Sequence, residues 1–426
     1  MLADIAVPAL RRFIGRTVRI EPGEIKGLAA SFGYFFSVLC AYYIIRPVRD
    51  EMGVAVGPGG LQVLFSIVFG VMLAAVPLFG WVVSRFPRRQ IVPVIYAFFV
   101  ACLLVFWALL AAGVSSPLLA GTFFVWSSVF NLFVVSLFWS LMADLWRTDQ
   151  AKRLYGCIAA GGSAGALTGP LLTQGLVVWL GANNLLLISA FFLCLAVAAA
   201  VALRRLFQGI AGDQTAENPL GAGLLSGAVR VWEDPLLFKI ALWVLLANLV
   251  STLFYLEQSR IVGETLTNRT ARVLLFSRID LAVNVLTLLA QMFVTAHVLS
   301  RVGLVYGATA LPAWATIGLV ALALSPSLAV IATVMAVERV LAFSLASPAV
   351  KVLYTGVAAD DKYKAQNFID TVVYRGGDAA SGWLFSGLAK GFGLGASAVA
   401  VVALPLGLVW LGLSVALGRA EGRRAD

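Results

Sequence analysis

The chain has 426 residues, 61% of them hydrophobic and only 12% charged, with a mean hydropathy of +0.94 and a formal net charge of +10. A soluble globular chain is about a quarter charged and half apolar, so this composition excludes an ordinary soluble domain and points to a membrane protein. One histidine, His297, and four cysteines without paired spacing give no familiar zinc site and no histidine-based triad, so neither an enzyme nor a cofactor is expected.

The first segment, residues 1–26, contains "VPALRRFIGRTVRI". Its mixture of arginines and apolar residues reads as a helix lying on the inner leaflet, with a targeting peptide as the other reading. Apolar runs then recur, each long enough for the roughly 17–25 residues that cross a bilayer. They fall near 27–45, 60–84, 91–112, 118–142, 157–180 and 184–203, and again near 236–256, 279–299, 303–324, 327–350, 371–392 and 394–418. Lipid cannot satisfy loose backbone groups, and these continuous runs lack the alternation of a barrel strand, so twelve helices are expected.

Span one runs straight into "YYIIRPVRDEMGV", residues 42–54, with two arginines and two acids. After span two comes "GWVVSRFPRR" at 80–89. It resembles the inner-loop motif of the major facilitator superfamily, with Ser84 where that motif has an acid; an ordinary basic loop is the alternative. Span five opens on "GGSAGALTGP", whose Gly161, Gly165 and Gly169 recur every fourth residue on one helix face. Small residues so spaced let helix backbones approach closely, and Pro170 adds a point where the helix could flex.

The polar stretch 204–235 divides the spans six and six and reads as a linker. The halves echo each other: "DQAKRLYG" from Asp149 and "DKYKAQNF" from Asp361 both read D-x-x-K and both precede a glycine pair. "NRT" at Asn268 fits a glycosylation acceptor by pattern alone.

Basic residues set the orientation. With the N-terminus inside, the outer side receives only Arg46, Arg49, Arg260, Arg269, Arg272, Arg278 and Lys390, and Arg339 and Arg375 fall within spans; all other basic residues lie inside. The positive-inside rule therefore favours two cytoplasmic termini, as in an inner (plasma) membrane of a bacterium. The same bias accounts for the positive charge without nucleic acid.

Two six-helix halves joined by an inner linker resemble the major facilitator architecture, in which substrate lies between the halves at mid-depth. The domains read as an N-terminal inner-surface segment 1–26, halves 27–203 and 236–418, a cytoplasmic linker 204–235 and a tail 419–426. A more specific resemblance is to the nucleotide transporters, the ATP/ADP translocases of plastids and intracellular bacteria. Arg46, Arg49 and Asp50 match their first-helix signature, with arginine in place of lysine. "FWSLMADLWRTDQAKRLYG" matches through Phe138, Trp139, Ala151, Lys152, Arg153 and Tyr155, and "KYKAQNFIDTVVYRGGD" through Lys362, Lys364, Ile369, Asp370, Arg375 and Gly377. The resemblance implies fold and transport, with nucleotide antiport as one reading. Two departures bear on substrate. The family's span-eleven lysine, tied to nucleotide phosphate, is Asp378 here, and its Lys–Glu pair near the end of span ten is Val350 and Lys351.

Charges inside the bilayer are costly, so they face a cavity or a partner. The expected substrate-binding residues are Arg46, Arg49, Tyr43, Arg339 and Arg375, taking a small anionic solute. Asp50, Glu257, Glu338 and Asp378 are expected to handle charge pairing or coupling to a proton or counter-substrate. Asp149, Lys152, Asp361 and Lys364 are expected to form an inner gate. Glu338 and Arg339 point roughly 100° apart on one helix, so they need partners elsewhere, whereas Arg375 and Asp378, three apart, can pair along one face. Proton-coupled metabolite transport and a non-transporting membrane sensor or scaffold stay open as alternatives.

Overall fold

The computed structural model describes residues 21, 23–85, 88–207, 224–354, 357 and 359–425. The expected inner-surface segment therefore lies almost entirely outside the described residues. So do the middle of the linker and residues 86–87 of the second loop.

The described chain is helical throughout, with no strand among its residues. Ten helices are long and apolar enough to cross a bilayer. They account for eleven crossings, because Thr148–Leu206 holds two of them. At 1.5 Å per residue its 59 residues reach roughly 89 Å, far more than the ~30 Å hydrocarbon layer. The break comes at Gly181, whose φ of 78° and ψ of 161° suit a residue without Cβ. The expected eleventh span corresponds to Ile369–Gly391, which alternates π-helical and α-helical segments and is not among those ten. The described residues form an all-α fold whose long apolar helices suit a membrane protein.

In chain order the α-helices are α1 (Ile25–Val56), α2 (Pro58–Arg85), α3 (Arg88–Ala111), α4 (Pro117–Leu145) and α5 (Thr148–Leu206). They continue as α6 (Leu224–Glu233), α7 (Pro235–Thr265), α8 (Arg269–Ala290), α9 (Leu304–Leu324) and α10 (Leu328–Leu341). The last are α11 (Ser347–Leu353), α12 (Ala359–Phe368), α13 (Tyr374–Ser386) and α14 (Ala396–Ala425). Capping fixes several starts. Asp234 accepts from the amides of Leu236 and Leu237 ahead of α7, and Asn268 accepts from Thr270 ahead of α8.

Three boundaries differ from expectation. Helix α1 runs past residue 45 to Val56, α7 runs past 256 to Thr265, and α8 begins at Arg269 rather than near 279. The hydropathy signal stops where charges begin, but the backbone ladder continues because those charges find partners. The final helix likewise runs on through most of the expected tail, to Ala425.

Contacts group the chain into two units. One comprises residues 1–45, 82–113 and 130–217; the other comprises 46–81, 114–129 and 218–426. The second unit thus takes the end of α1, most of α2 and the first part of α4 together with the C-terminal half. The chain passes from one unit to the other at Ile45–Arg46, beside Pro47, which supplies no N–H for the carbonyl of Tyr43.

The first unit is held by an aromatic cluster. Phe35 and Phe138 stack at 4.1 Å between centroids, Tyr34 meets Phe138 edge-on at 4.9 Å, and the Tyr96 hydroxyl donates to the Val134 carbonyl at 2.6 Å. The glycine stripe of α5 lies against α1: a Cβ at Gly161 or Gly165 would run into the carbonyl oxygens of Phe32 or Phe36, and at Gly169 into Tyr43. In the second unit α9 packs on α14, and Trp243 of α7 meets Trp410 at 5.5 Å while donating to Ser414 at 2.7 Å.

Candidate functional site

The intramembrane charges of the second unit form one contiguous constellation, and α7 organises it. Asn248, Ser251, Thr252 and Tyr255 follow the spacing i, i+3, i+4, i+7, which places four polar side chains on one face of α7. Each donates to a different strand of the network. Asn248 donates to the Tyr374 carbonyl and Ser251 to the Glu338 carboxylate. Thr252 donates to Asp378 at 2.8 Å, and Tyr255 to Asp50 at 3.1 Å. Three buried carboxylates, from α10, α13 and α1, are thereby gathered around one stripe of neutral donors.

The arginines complete it. Arg339 of α10 donates to Oδ1 of Asp280 on α8 at 2.7 Å, and Arg46 of α1 reaches the same oxygen at 3.7 Å. Asp280 is only 1% exposed, and its Oδ2 is buried without a hydrogen bond. Arg49 lies 3.5 Å from Asp50 and sits over the Phe124 ring at 4.2 Å, a cation–π arrangement. Arg375 lies 3.4 Å from Asp378 and 5.4 Å from the Tyr374 ring centre. Four arginines and four carboxylates therefore stand in this node, where an uncompensated charge would be costly.

A second layer lies toward the ends of α1 and α7. Glu51, 3% exposed, takes Arg269 at 2.8 Å and Arg272 at 3.9 Å. Glu257 is fully buried; Arg260 stands 3.1 Å from its Oε2, yet neither carboxylate oxygen receives an aligned hydrogen bond. Arg260 also donates to the Leu394 carbonyl at 3.4 Å. Nearby, Trp383 donates to Ser66 at 2.9 Å, tying α13 to α2.

Most of the expected residues thus meet. Arg46, Arg49, Asp50, Glu338, Arg339, Arg375 and Asp378 share the node, and Glu257 belongs to the layer beside it. Asp50 contacts Arg49, whereas Arg46 is held by Asp280. Tyr43 belongs to the first unit, where its ring lies 5.4 Å from that of Tyr42. The gate residues are divided between the units. Asp149 pairs with exposed Arg147 at 3.4 Å near Lys152 in the first, and Asp361 pairs with Arg230 at 2.9 Å in the second. There the Lys364 backbone packs on Gly227.

The sequence reading did not select Asp280, Glu51 or the α7 stripe as site residues. The stripe had a readable signal, four polar residues at helical spacing in "NLVSTLFY". Asp280 was readable only as a charge at the start of span eight, and its partners were not, since its arginines lie 234 and 59 positions away. Among the described residues no cluster of His, Cys, Asp and Glu is arranged to hold a metal ion.

No family model and no curated protein matches the sequence. Solved structures do match in fold. An auto-inhibited peptide transporter of the POT family aligns with a TM-score of 0.67 at 13% identity, covering 93% of this chain and 97% of its own. A bacterial homologue of the iron transporter ferroportin, in an inward-facing state, aligns at 0.65 and 15% identity, covering 93% and 98%. The nucleoside transporter NupG aligns at 0.63 and 14% identity, covering 92% and 98%. All three are transporters, and at 13–15% identity the likeness is one of fold.

Proposed function

We propose that this chain is a secondary transporter that moves a small anionic solute across a bilayer by alternating access. The observation that carries the reading is the sharing of one Asp280 oxygen by Arg46 and Arg339. Beside this shared carboxylate the Nε–H of Arg339 is buried without an acceptor, a donor that suits a carboxylate or phosphate-like ligand. Arg49 and Arg375 extend the same surface, with Tyr43 one turn before Arg46 on α1. Asp50 holds Arg49 and Asp378 holds Arg375 between substrate visits, while Glu338 and Glu257 serve in charge pairing or coupling.

In this reading the halves 27–203 and 236–418 rock about the site, and Asp149, Lys152, Asp361 and Lys364 latch the inner face. Both termini lie in the cytoplasm, and the host membrane is a bacterial inner membrane. The test is uptake into proteoliposomes. Arg46→Ala and Arg49→Ala lose transport while inserting and folding normally; unchanged transport by both variants overturns the assignment. A thermal-shift screen against organic acids, nucleotides, amino acids and peptides identifies the solute, because a ligand for the folded state raises its stability.

Nucleotide antiport is the second reading, favoured by the match at Arg46, Arg49 and Asp50. Asp378 weighs against it: this acid holds Arg375 at 3.4 Å where the resemblance has a lysine for phosphate. Counterflow of labelled ATP decides between the two.

A further inference from the structure

The node balances itself when empty. Arg46, Arg49, Arg339 and Arg375 stand against Asp50, Asp280, Glu338 and Asp378, four charges of each sign if all are ionised. An anion that enters as the reading above requires brings one more negative charge into a region that tolerates none. That excess has to be removed, and the geometry identifies where. Asp280 sits where such an anion would bind, since it occupies the arginine pair through Oδ1 alone. Its contact with Arg46 is the long one, at 3.7 Å, and its Oδ2 is buried without a hydrogen bond. The Nε–H of Arg339 is also buried without an acceptor, so this guanidinium has a donor left for a second anion.

We propose that Asp280 is a proton-carrying counter-ion: an incoming anion takes its place between Arg46 and Arg339, the displaced carboxylate binds one proton, and anion and proton cross the membrane together. The step balances. The Asp280 carboxylate gives up its two arginine contacts and gains an O–H bond to a proton from water on the open side. The anion supplies the negative charge that Asp280 has lost, and four positive charges again face four negative ones. On the far side the anion leaves, the proton follows, and Asp280 returns to the arginines.

The surroundings of Asp280 leave few competitors. Arg46 faces it from α1 and Arg339 from α10. Glu338 on α10 is turned to Ser251, Tyr255 on α7 is turned to Asp50, and Arg278 on its own helix is exposed. The π-helical segments Gln291–Thr295 and Ala342–Ala346, which also lie against α8, carry no titratable side chain.

This inference rests on the anionic reading, and one experiment separates the two. The purified full chain in detergent is titrated with lactate, formate and methanesulfonate, monoanions whose own charges are constant between about pH 6 and about pH 8. Binding is read by thermal shift and proton uptake by an indicator dye in weak buffer. The expected result is uptake of about one proton per bound anion, with affinity weakening up to about tenfold per pH unit. Asp280→Asn is expected to bind the probe with no uptake and no pH slope. Asp280→Glu keeps both and, on binding, moves the infrared C=O stretch of the newly protonated acid; this second variant serves where the first fails to fold. Binding by the wild-type chain without proton uptake overturns the inference alone, as does uptake that persists in Asp280→Asn or an unshifted band in Asp280→Glu. Failure of all three probes to shift the melting temperature overturns the anionic reading and this inference with it.

Discussion

Arg339 and Asp280 meet at 2.7 Å across the contact of α10 with α8, one partner 15% exposed and the other 1%. Removing the arginine leaves a buried carboxylate with only the more distant Arg46. Breaking one side of such a pair costs about 3–5 kcal/mol. Arg339→Met is therefore expected to lower the melting temperature of the detergent-solubilised protein by several degrees. Arg339→Lys should recover part of the loss, because an ammonium restores charge but not the planar fork.

The Tyr255–Asp50 bond predicts a smaller effect. Asp50 keeps Arg49 at 3.5 Å when the hydroxyl is removed. Tyr255→Phe should cost about 1–3 kcal/mol, the range for a buried hydrogen bond to a charged group. Phe124→Leu, which removes the ring beneath Arg49, should cost about 0.5–2 kcal/mol beyond lost packing. Thermal unfolding of the two single variants and the double variant tests whether Arg49 couples them.

The glycine stripe of α5 gives a contrast within one helix. A methyl group at Gly165 meets the carbonyl oxygen of Phe36, which the helix backbone of α1 holds in place. Gly165→Ala should destabilise by about 1–3 kcal/mol through overpacking. Gly175 has nothing within 4 Å of the corresponding point, so Gly175→Ala should be neutral or stabilise by up to about 1 kcal/mol. Equal melting temperatures for the two variants would contradict the close approach.

Glu24, just ahead of α1, predicts an acid dependence in the first unit. It accepts from Arg153 at 2.9 Å, from Gln150 at 3.0 Å and from the Glu21 amide at 3.0 Å. Burial alone raises its carboxyl, but these donors outweigh burial and hold it below the ordinary value of 4.5. A lowered folded-state pKa means the stabilisation is present above the unfolded value and disappears as pH falls through the folded one. Melting temperature should decline on acidification below about pH 4.5, and Glu24→Gln should flatten that part of the profile while lowering the neutral-pH plateau.

Most of the crossings were legible because bilayer thickness imposes a length on apolar runs; the span expected at 371–392, interrupted by Arg375 and Asp378, was not. Even the division of α5 at Gly181 falls in the short gap between the expected spans 157–180 and 184–203. The need of Glu338 and Arg339 for separate partners followed from helix geometry alone, and Ser251 and Asp280 supply them. Helix ends were less legible. Hydropathy stops at a charge, whereas the helix stops where its hydrogen-bond ladder does, so Arg46 to Glu51 lie inside α1 rather than after it. The identity of each partner was the least legible part, since the arginines of Asp280 come from α1 and α10 and no local pattern links them.

The three-way contact of Arg46, Asp280 and Arg339 also bears on how such a chain can change over generations. Losing Asp280 or Arg339 strands a largely buried charge, while exchanging the whole set for apolar side chains strands none. Intermediate sequences are therefore less fit than either endpoint. Descendants of this chain should retain all three positions or abandon them jointly, so comparison of relatives should find them inherited as a block.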